Sequence, residues 1–144
     1  MSDKQEISTL DKIVMIVQRY QRIPADYRDI ETLTLWQRKL SCALFDYAGE
    51  VGDLYKASKA SEYMRKSAFE KERLRLIGEG KSAAAAGNEA QTAIDSLLFA
   101  EVCADADYRA AQMQYQAAGD VLRSMIQHIS SLKEEKRLEM HGQT

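Results

Sequence analysis

The chain has 144 residues, of which 45% are hydrophobic and 29% charged, and its formal net charge is −2. A single proline, few glycines and many alanine, lysine, arginine and glutamate residues favour an all-helical protein. No run approaches the ~18 apolar residues that a membrane span needs. The polar, acidic start does not resemble a signal peptide. We therefore expect one cytoplasmic domain with no membrane partner.

A short first helix is expected over residues 8–23, after a disordered segment at 1–7. Ser8 and Thr9 offer side-chain oxygens that can cap its first turn. Apolar residues then recur at helical spacing from Leu10 to Tyr20. Pro24 ends the helix, because proline lacks the next backbone donor and restricts the residue before it.

Two long helices are predicted over residues 32–77 and 89–136, joined by a turn at 78–88 and followed by a frayed tail at 137–144. Gly49 and Gly52 interrupt the first of them and predict a kink or a close helix contact. Ser82 could cap a short alanine helix inside the glycine-rich turn. The expected fold is all-α, a long antiparallel and coiled-coil-like hairpin with a short N-terminal helix.

The last long helix has the most regular pattern, because apolar residues recur in alternating steps of three and four. A helix of about 45 residues is roughly 65–70 Å long and cannot bury such a stripe alone. We therefore predict a homo-oligomer, with the subunit number and orientation left open. The residues assigned to the hairpin and oligomer seam are Ile94, Leu97, Tyr108, Tyr115, Leu122, Met125, Ile129 and Leu132.

Charge is unevenly distributed, with +4 over residues 54–81 and −5 over residues 89–120. In the basic segment, aromatic rings alternate with cations, as in surfaces where cations track phosphates and rings stack on bases of a single strand. The candidate phosphate contacts are Lys56, Lys59, Arg65, Lys66, Lys71 and Arg73, and the candidate stacking rings are Tyr55, Tyr63 and Phe69. The alternative is an ordinary exposed helix face, since acids such as Glu62 are intermixed.

Other chemistries have weaker signals. Gly80-Lys81-Ser82 imitates the end of a phosphate-binding loop but lacks the earlier glycine and the preceding strand. Cys42 and Cys103 are interpreted as reduced, half-buried small residues. No histidine, cysteine and carboxylate cluster predicts a metal site or a cofactor, and no base is placed to activate a catalytic nucleophile. We therefore expect no enzyme activity.

One acidic motif points to an enzyme instead. The segment Ala48-Gly-Glu50-Val-Gly-Asp53-Leu-Tyr-Lys-Ala57 resembles the first helix signature of the MazG-like nucleotide pyrophosphatases, in which acids one turn apart hold magnesium. Gly49 stands where that family usually has another acid. The last helix offers no second pair at the family's spacing. A pyrophosphatase is therefore kept as the second alternative function.

A tryptophan-bearing helix leads into a basic helix, a small-residue turn and a last helix ending in Leu122-Arg-Ser-Met-Ile126-Gln-His-Ile129-Ser-Ser-Leu132-Lys-Glu-Glu. In length, element order and charge placement, residues 33–136 resemble the phage recombination mediators (UvsY-like). That resemblance implies a phage-encoded homo-oligomer that binds single-stranded DNA and assists a recombinase or a single-strand-binding protein. It also implies that the basic residues contact phosphates. A structural or protein-binding phage oligomer of the connector, tail or host-inhibitor type is the first alternative.

Overall fold

The computed structural model describes residues 6–142 and contains, over that range, four helices and no strand. The helices are α1 (Thr9–Gln21), α2 (Ile30–Gly78), α3 (Ala83–Ala93) and α4 (Asp95–Gly142). The all-α prediction is confirmed, and so is the helical hairpin, because α2 and α4 pack against each other. Over residues 6–142, no helical segment combines the length and the hydrophobicity that a membrane span requires.

Side-chain caps explain where the first two helices begin. The Ser8 Oγ accepts a hydrogen bond from the Asp11 backbone N–H at 3.1 Å, as the sequence predicted for α1. Asp29 does the same for α2, since its Oδ1 accepts from the Thr32 N–H at 3.1 Å and its Oδ2 from the Thr32 hydroxyl at 2.7 Å. The hydroxyl and amide donors of Thr32 lower the pKa of the Asp29 carboxyl. Residues 1–5 of the N-terminal segment that was expected to be disordered lie outside the described range.

The predicted boundaries between the long helices are wrong in part. Residues 83–88, which were expected to lie in a turn, form the first half of α3. Ser82 caps this helix, since its Oγ accepts a hydrogen bond from the Ala85 backbone N–H at 3.2 Å. Gly80 makes the reversal before it, at φ 92°, a conformation that glycine adopts without strain. A single turn residue, Ile94, then separates α3 from α4, so the helix predicted from 89 begins at Asp95.

The other end of α4 also differs from the prediction. The helix continues through the tail expected to fray, as far as Gly142, and residues 143 and 144 lie outside the described range. Within this extension, Arg137 donates to Glu134 through Nε at 3.0 Å and Nη2 at 2.7 Å. Pairs of this i, i+3 spacing support a helix modestly.

The chain divides into two compact units, a first unit of residues up to 49 and from 113 onward, and a second unit of residues 50–112. In the first unit, α1 and the loop after it cover the start of α2 and the end of α4. Its core contains Leu33, Ile129 and Leu132, with partly buried residues packed around them: Tyr20, Ile23, Tyr27, Ile30 and Trp36. Met125 and Leu40 are fully buried in the same unit.

The second unit holds the rest of α2, all of α3 and the start of α4. Tyr55 of α2 meets Tyr108 of α4 edge to face, with ring centroids 5.2 Å apart. Farther along α2, Arg65 reaches Glu101 of α4. From the first contact to the second, the residue number rises from 55 to 65 on α2 and falls from 108 to 101 on α4. The two segments therefore run antiparallel, as predicted. At the far end, Leu76 is buried with Ala86 and Ala90 of α3.

The predicted seam of α4 faces α2 within each unit. Ile94, Met125, Ile129 and Leu132 are buried, whereas Tyr115 remains 37% exposed. The other members, Leu97, Tyr108 and Leu122, are half-buried. The hairpin assignment of these residues therefore fits the structure. Their burial within one chain leaves them little surface for subunit assembly, which stays a prediction.

The close helix contact expected at Gly49 and Gly52 and the burial expected for the cysteines are wrong, whereas the kink stays a prediction. Helix α2 runs unbroken through Gly49 and Gly52, and a Cβ built on either residue would have no neighbour within 4 Å. No close helix contact therefore requires these glycines. Cys42 and Cys103 were expected to be half-buried, but both thiols are exposed.

Candidate nucleic-acid interface

The predicted basic segment forms an outward stripe on α2 in the second unit. Lys56, Lys59, Tyr63 and Lys66 follow one another in steps of three and four residues, which places them on one side of the helix. The Tyr63 side chain is 74% exposed. We call this stripe, together with the exposed Lys71, the α2 face.

Two carboxylates, those of Glu62 and Glu70, lie among these cations. Glu62 accepts hydrogen bonds from the Lys66 Nζ at 2.6 Å and from the Lys59 Nζ at 3.3 Å. These two ammonium groups, Lys66 first, hold the pKa of Glu62 below its ordinary value, and the bond to Glu62 raises the pKa of Lys59. Since two cations share one anion, the group keeps a net charge of +1 beside the Tyr63 ring.

The remaining predicted cations differ in whether they form ion pairs. Arg73 binds Glu70 in the same helix through two nitrogens, at 2.5 and 3.1 Å. Arg65 binds Glu101 of α4 through Nε and Nη2, and the bond to Glu101 raises its pKa. Because Arg65 is half-buried, it belongs to the contact between α2 and α4. Lys56 and Lys71 form no ion pair with any residue in the 6–142 range.

The three predicted stacking rings occupy different environments. Tyr63 projects to solvent. Tyr55 is 46% exposed, with its edge-to-face contact to Tyr108 on one side and the Lys59 Nζ 5.8 Å from its centroid. Phe69 packs on the Leu76 cluster and belongs to the core. Tyr63 is therefore the ring best placed to receive an unpaired base.

The acidic motif does not extend into a recognisable metal site. Glu50 and Asp53 both lie exposed on α2. Within the described residues, no group of three or more histidine, cysteine, aspartate or glutamate side chains could hold a metal ion. The acids of α4 that were considered as a second pair include Glu101, whose carboxylate is engaged by Arg65.

A second basic surface escaped the sequence analysis. In the first unit, α1 and α2 border a groove of about 480 Å³ whose rim carries Lys12, Arg19, Arg38 and Lys39. None of these four forms an ion pair with a residue of the described range, and Asp46 is the acid in the lining. The sequence did not reveal this surface, because its four cations come from two different helices. Only Lys12 and Arg19, which are seven residues apart, have a spacing that places two side chains on the same side of one helix.

Comparisons of the chain with protein-family models, with curated proteins and with solved structures found no match.

Proposed function

We propose that the protein is a non-enzymatic accessory of DNA recombination or replication that binds single-stranded DNA through the α2 face. The observation that carries this proposal is the exposed Tyr63 ring between Lys59 and Lys66. A ring with cations on both sides can stack on a base while the ammonium groups contact the neighbouring phosphates.

The charge of the surface supports a polyanion as ligand. Four exposed cations lie on the α2 face (Lys56, Lys59, Lys66 and Lys71), and the half-buried Arg73 lies beside them, against the carboxylates of Glu62 and Glu70. The face therefore stays net positive after every ion pair is counted. Exposed ion pairs contribute little to stability, so phosphate groups can take the place of the carboxylates.

The exposed ring favours a single strand over a duplex. Bases in a duplex are stacked on each other and hide their faces, whereas an unpaired base can be displaced onto an aromatic side chain. The resemblance to phage recombination mediators extends the proposal to a role, namely helping a recombinase onto strands covered by a single-strand-binding protein. The DNA contact is the step that the α2 face supports directly.

The proposal is tested by titrating labelled single-stranded and duplex oligonucleotides with the protein at several salt concentrations. We expect tighter binding of the single strand, and log K that falls with log salt by about 0.7 per phosphate contacted. The double variant Lys59→Ala/Lys66→Ala should weaken binding and flatten that slope. The absence of any binding at ~50 mM salt would contradict the proposal, because phosphate contacts are strongest at low salt.

The groove of the first unit provides the comparison variant. Arg38→Gln/Lys39→Gln removes two cations that carry no ion pair within the described range, as many charges as the α2 double variant removes. We expect the smaller loss of affinity from this pair, since none of the residues lining the groove is aromatic and so none can stack on a base. The reverse order would place the DNA contact in the groove.

A further inference from the structure

Helix α4 carries a second apolar side in the second unit, opposite the side that packs on α2. Phe99, Cys103, Ala106 and Ala110 follow one another in steps of four, three and four, and all four are exposed. The Phe99 side chain is 70% exposed, and the adjacent Val102 is 58% exposed. We call these five residues the outer face of α4. Its spacing is that of a helix seam that contacts another helix.

We propose that the outer face binds the outer face of a second copy of the chain, with the two α4 helices antiparallel about a two-fold axis between residues 104 and 105. An interface of this kind is self-complementary, because each residue meets its counterpart twice. It uses the surface that the hairpin leaves uncovered, in place of the buried seam.

Side-chain size favours the antiparallel arrangement. With the axis at this position, Phe99 of each copy lies opposite Ala110 of the other, and Cys103 lies opposite Ala106. These two layers therefore each combine a larger side chain with alanine, which lets the helices approach closely. A parallel pair would instead place Phe99 against Phe99 and Ala106 against Ala106, which alternates crowding with empty space.

On one flank of the outer face, this pairing brings opposite charges together. Asp95, Val102 and Arg109 are spaced by seven residues and so lie along one flank of the outer face. The Arg109 Nε donates to Asp105 at 2.8 Å, while its terminal nitrogens bind no described residue, and Asp95 has no ion pair within residues 6–142. In the antiparallel pair, Arg109 comes level with residue 100 of the other copy. Asp95 of that copy is then about 7–8 Å away along the axis, within reach of an arginine side chain.

The α2 face stays uncovered in this dimer, since it lies on the other helix of the hairpin. The inference is therefore independent of the proposed function. Loss of self-association would leave the DNA-binding proposal intact, and loss of DNA binding would leave the dimer intact.

The native cysteines give a direct test. In this dimer, Cys103 of one copy and Cys103 of the other are offset by three residues, or about 4.5 Å along the helix axis. A Cys42→Ser variant, which keeps Cys103 alone, should give dimers with a short bismaleimide crosslinker, and a Cys103→Ser variant should not. Failure of Cys42→Ser to crosslink at high micromolar concentration would overturn the proposal, as would equal crosslinking of the two variants.

A charge substitution tests the same contact without a crosslinking reaction. Ala106→Glu places two carboxylates beside the axis and should lower the particle mass measured by sedimentation velocity, whereas Ala60→Glu, at an exposed alanine of α2, should not. Both variants should keep the helical circular dichroism of the wild type. A wild-type mass of 16.3 kDa at all concentrations would contradict the dimer, and so would an unchanged mass for Ala106→Glu.

Discussion

At the scale of single residues, Tyr63 distinguishes the proposed contact with bases from a contact with phosphates alone. Removing the ring in Tyr63→Ala should weaken single-strand binding by about 5- to 150-fold, because stacking contributes ~1–3 kcal/mol per base. Tyr63→Phe keeps the stacking surface and should bind nearly as well as the wild type. Equal affinities for the wild type and Tyr63→Ala in oligonucleotide titrations would show that the ring takes no part.

Glu62 makes the stability of the α2 face depend on pH. Because the lysines lower the pKa of Glu62, its ion pairs stabilise the fold above the ordinary value of 4.5, and this contribution is lost as the pH falls through the folded-state pKa. We expect Glu62→Gln to have a slightly lower Tm than the wild type at pH 7 and an equal Tm once the carboxyl is protonated. Thermal melts followed by circular dichroism between pH 7 and 3 measure this difference. A gap that widens in acid would contradict the assignment.

The sequence identified residues of the face unequally well. Lys59, Tyr63 and Lys66 could be grouped because residues three and four apart on one helix are neighbours whatever else the chain does. Arg65 and Phe69 were grouped with them on composition alone. Their roles depend on Glu101 and on the α3 cluster, which only tertiary contacts bring near.

At the scale of elements, α3 shows how small residues fix a helix junction. Ala86 and Ala90 are fully buried against Leu76, so α3 lies close to the end of α2. The sequence could place the cap at Ser82, since hydroxyl residues before an alanine run commonly start helices. It did not reveal the break at Ile94, because the three- and four-residue pattern passes through that residue without interruption.

Overpacking this junction should therefore be costly. Ala86→Leu forces three extra carbon atoms into a filled space, for which about 1–3 kcal/mol is typical, corresponding to a Tm lower by about 3–10 °C. Ala84→Leu, in the exposed first turn of the same helix, is the matched control and should melt within about 1 °C of the wild type. Similar losses from both changes would mean that α3 does not pack as described.

At the scale of the whole molecule, the self-association that we propose uses the outer face of α4 and not the seam predicted by the sequence. The regular seam was recognised first because its large residues repeat without interruption, and the structure uses it inside the hairpin. Three of the five residues of the outer face are the small Cys103, Ala106 and Ala110, which hydrophobic spacing alone does not distinguish from ordinary helix surface. Phe99 and Val102 reveal it, because both remain exposed once the hairpin has formed.

The strength of such a dimer can be estimated from the two large side chains. Burying Phe99 and Val102 of both copies contributes about 6–12 kcal/mol, at ~1.5–3 kcal/mol for each side chain. Association costs an estimated 4–15 kcal/mol in lost freedom of motion. With the largest gain from burial and the smallest cost of association, about 8 kcal/mol remain, which corresponds to a dissociation constant of about 1 µM. A dimer held by this face alone should therefore dissociate on dilution. Its mass should consequently rise with protein concentration.

The central proposal, binding of single-stranded DNA by the α2 face, is tested most directly by comparing two glutamate-to-glutamine changes on the same helix. Glu62→Gln releases Lys59 and Lys66, and one added phosphate contact on a single strand should tighten binding by up to about eightfold at ~50 mM salt.

Glu50→Gln makes the same change in net charge but releases no ammonium group within the described range. It lies 12 residues away, about 18 Å along the helix, where salt screens most of the effect. We predict tighter binding for Glu62→Gln and an unchanged affinity for Glu50→Gln in oligonucleotide titrations. Equal affinities for both variants and the wild type, or weaker binding by Glu62→Gln, would contradict the proposal.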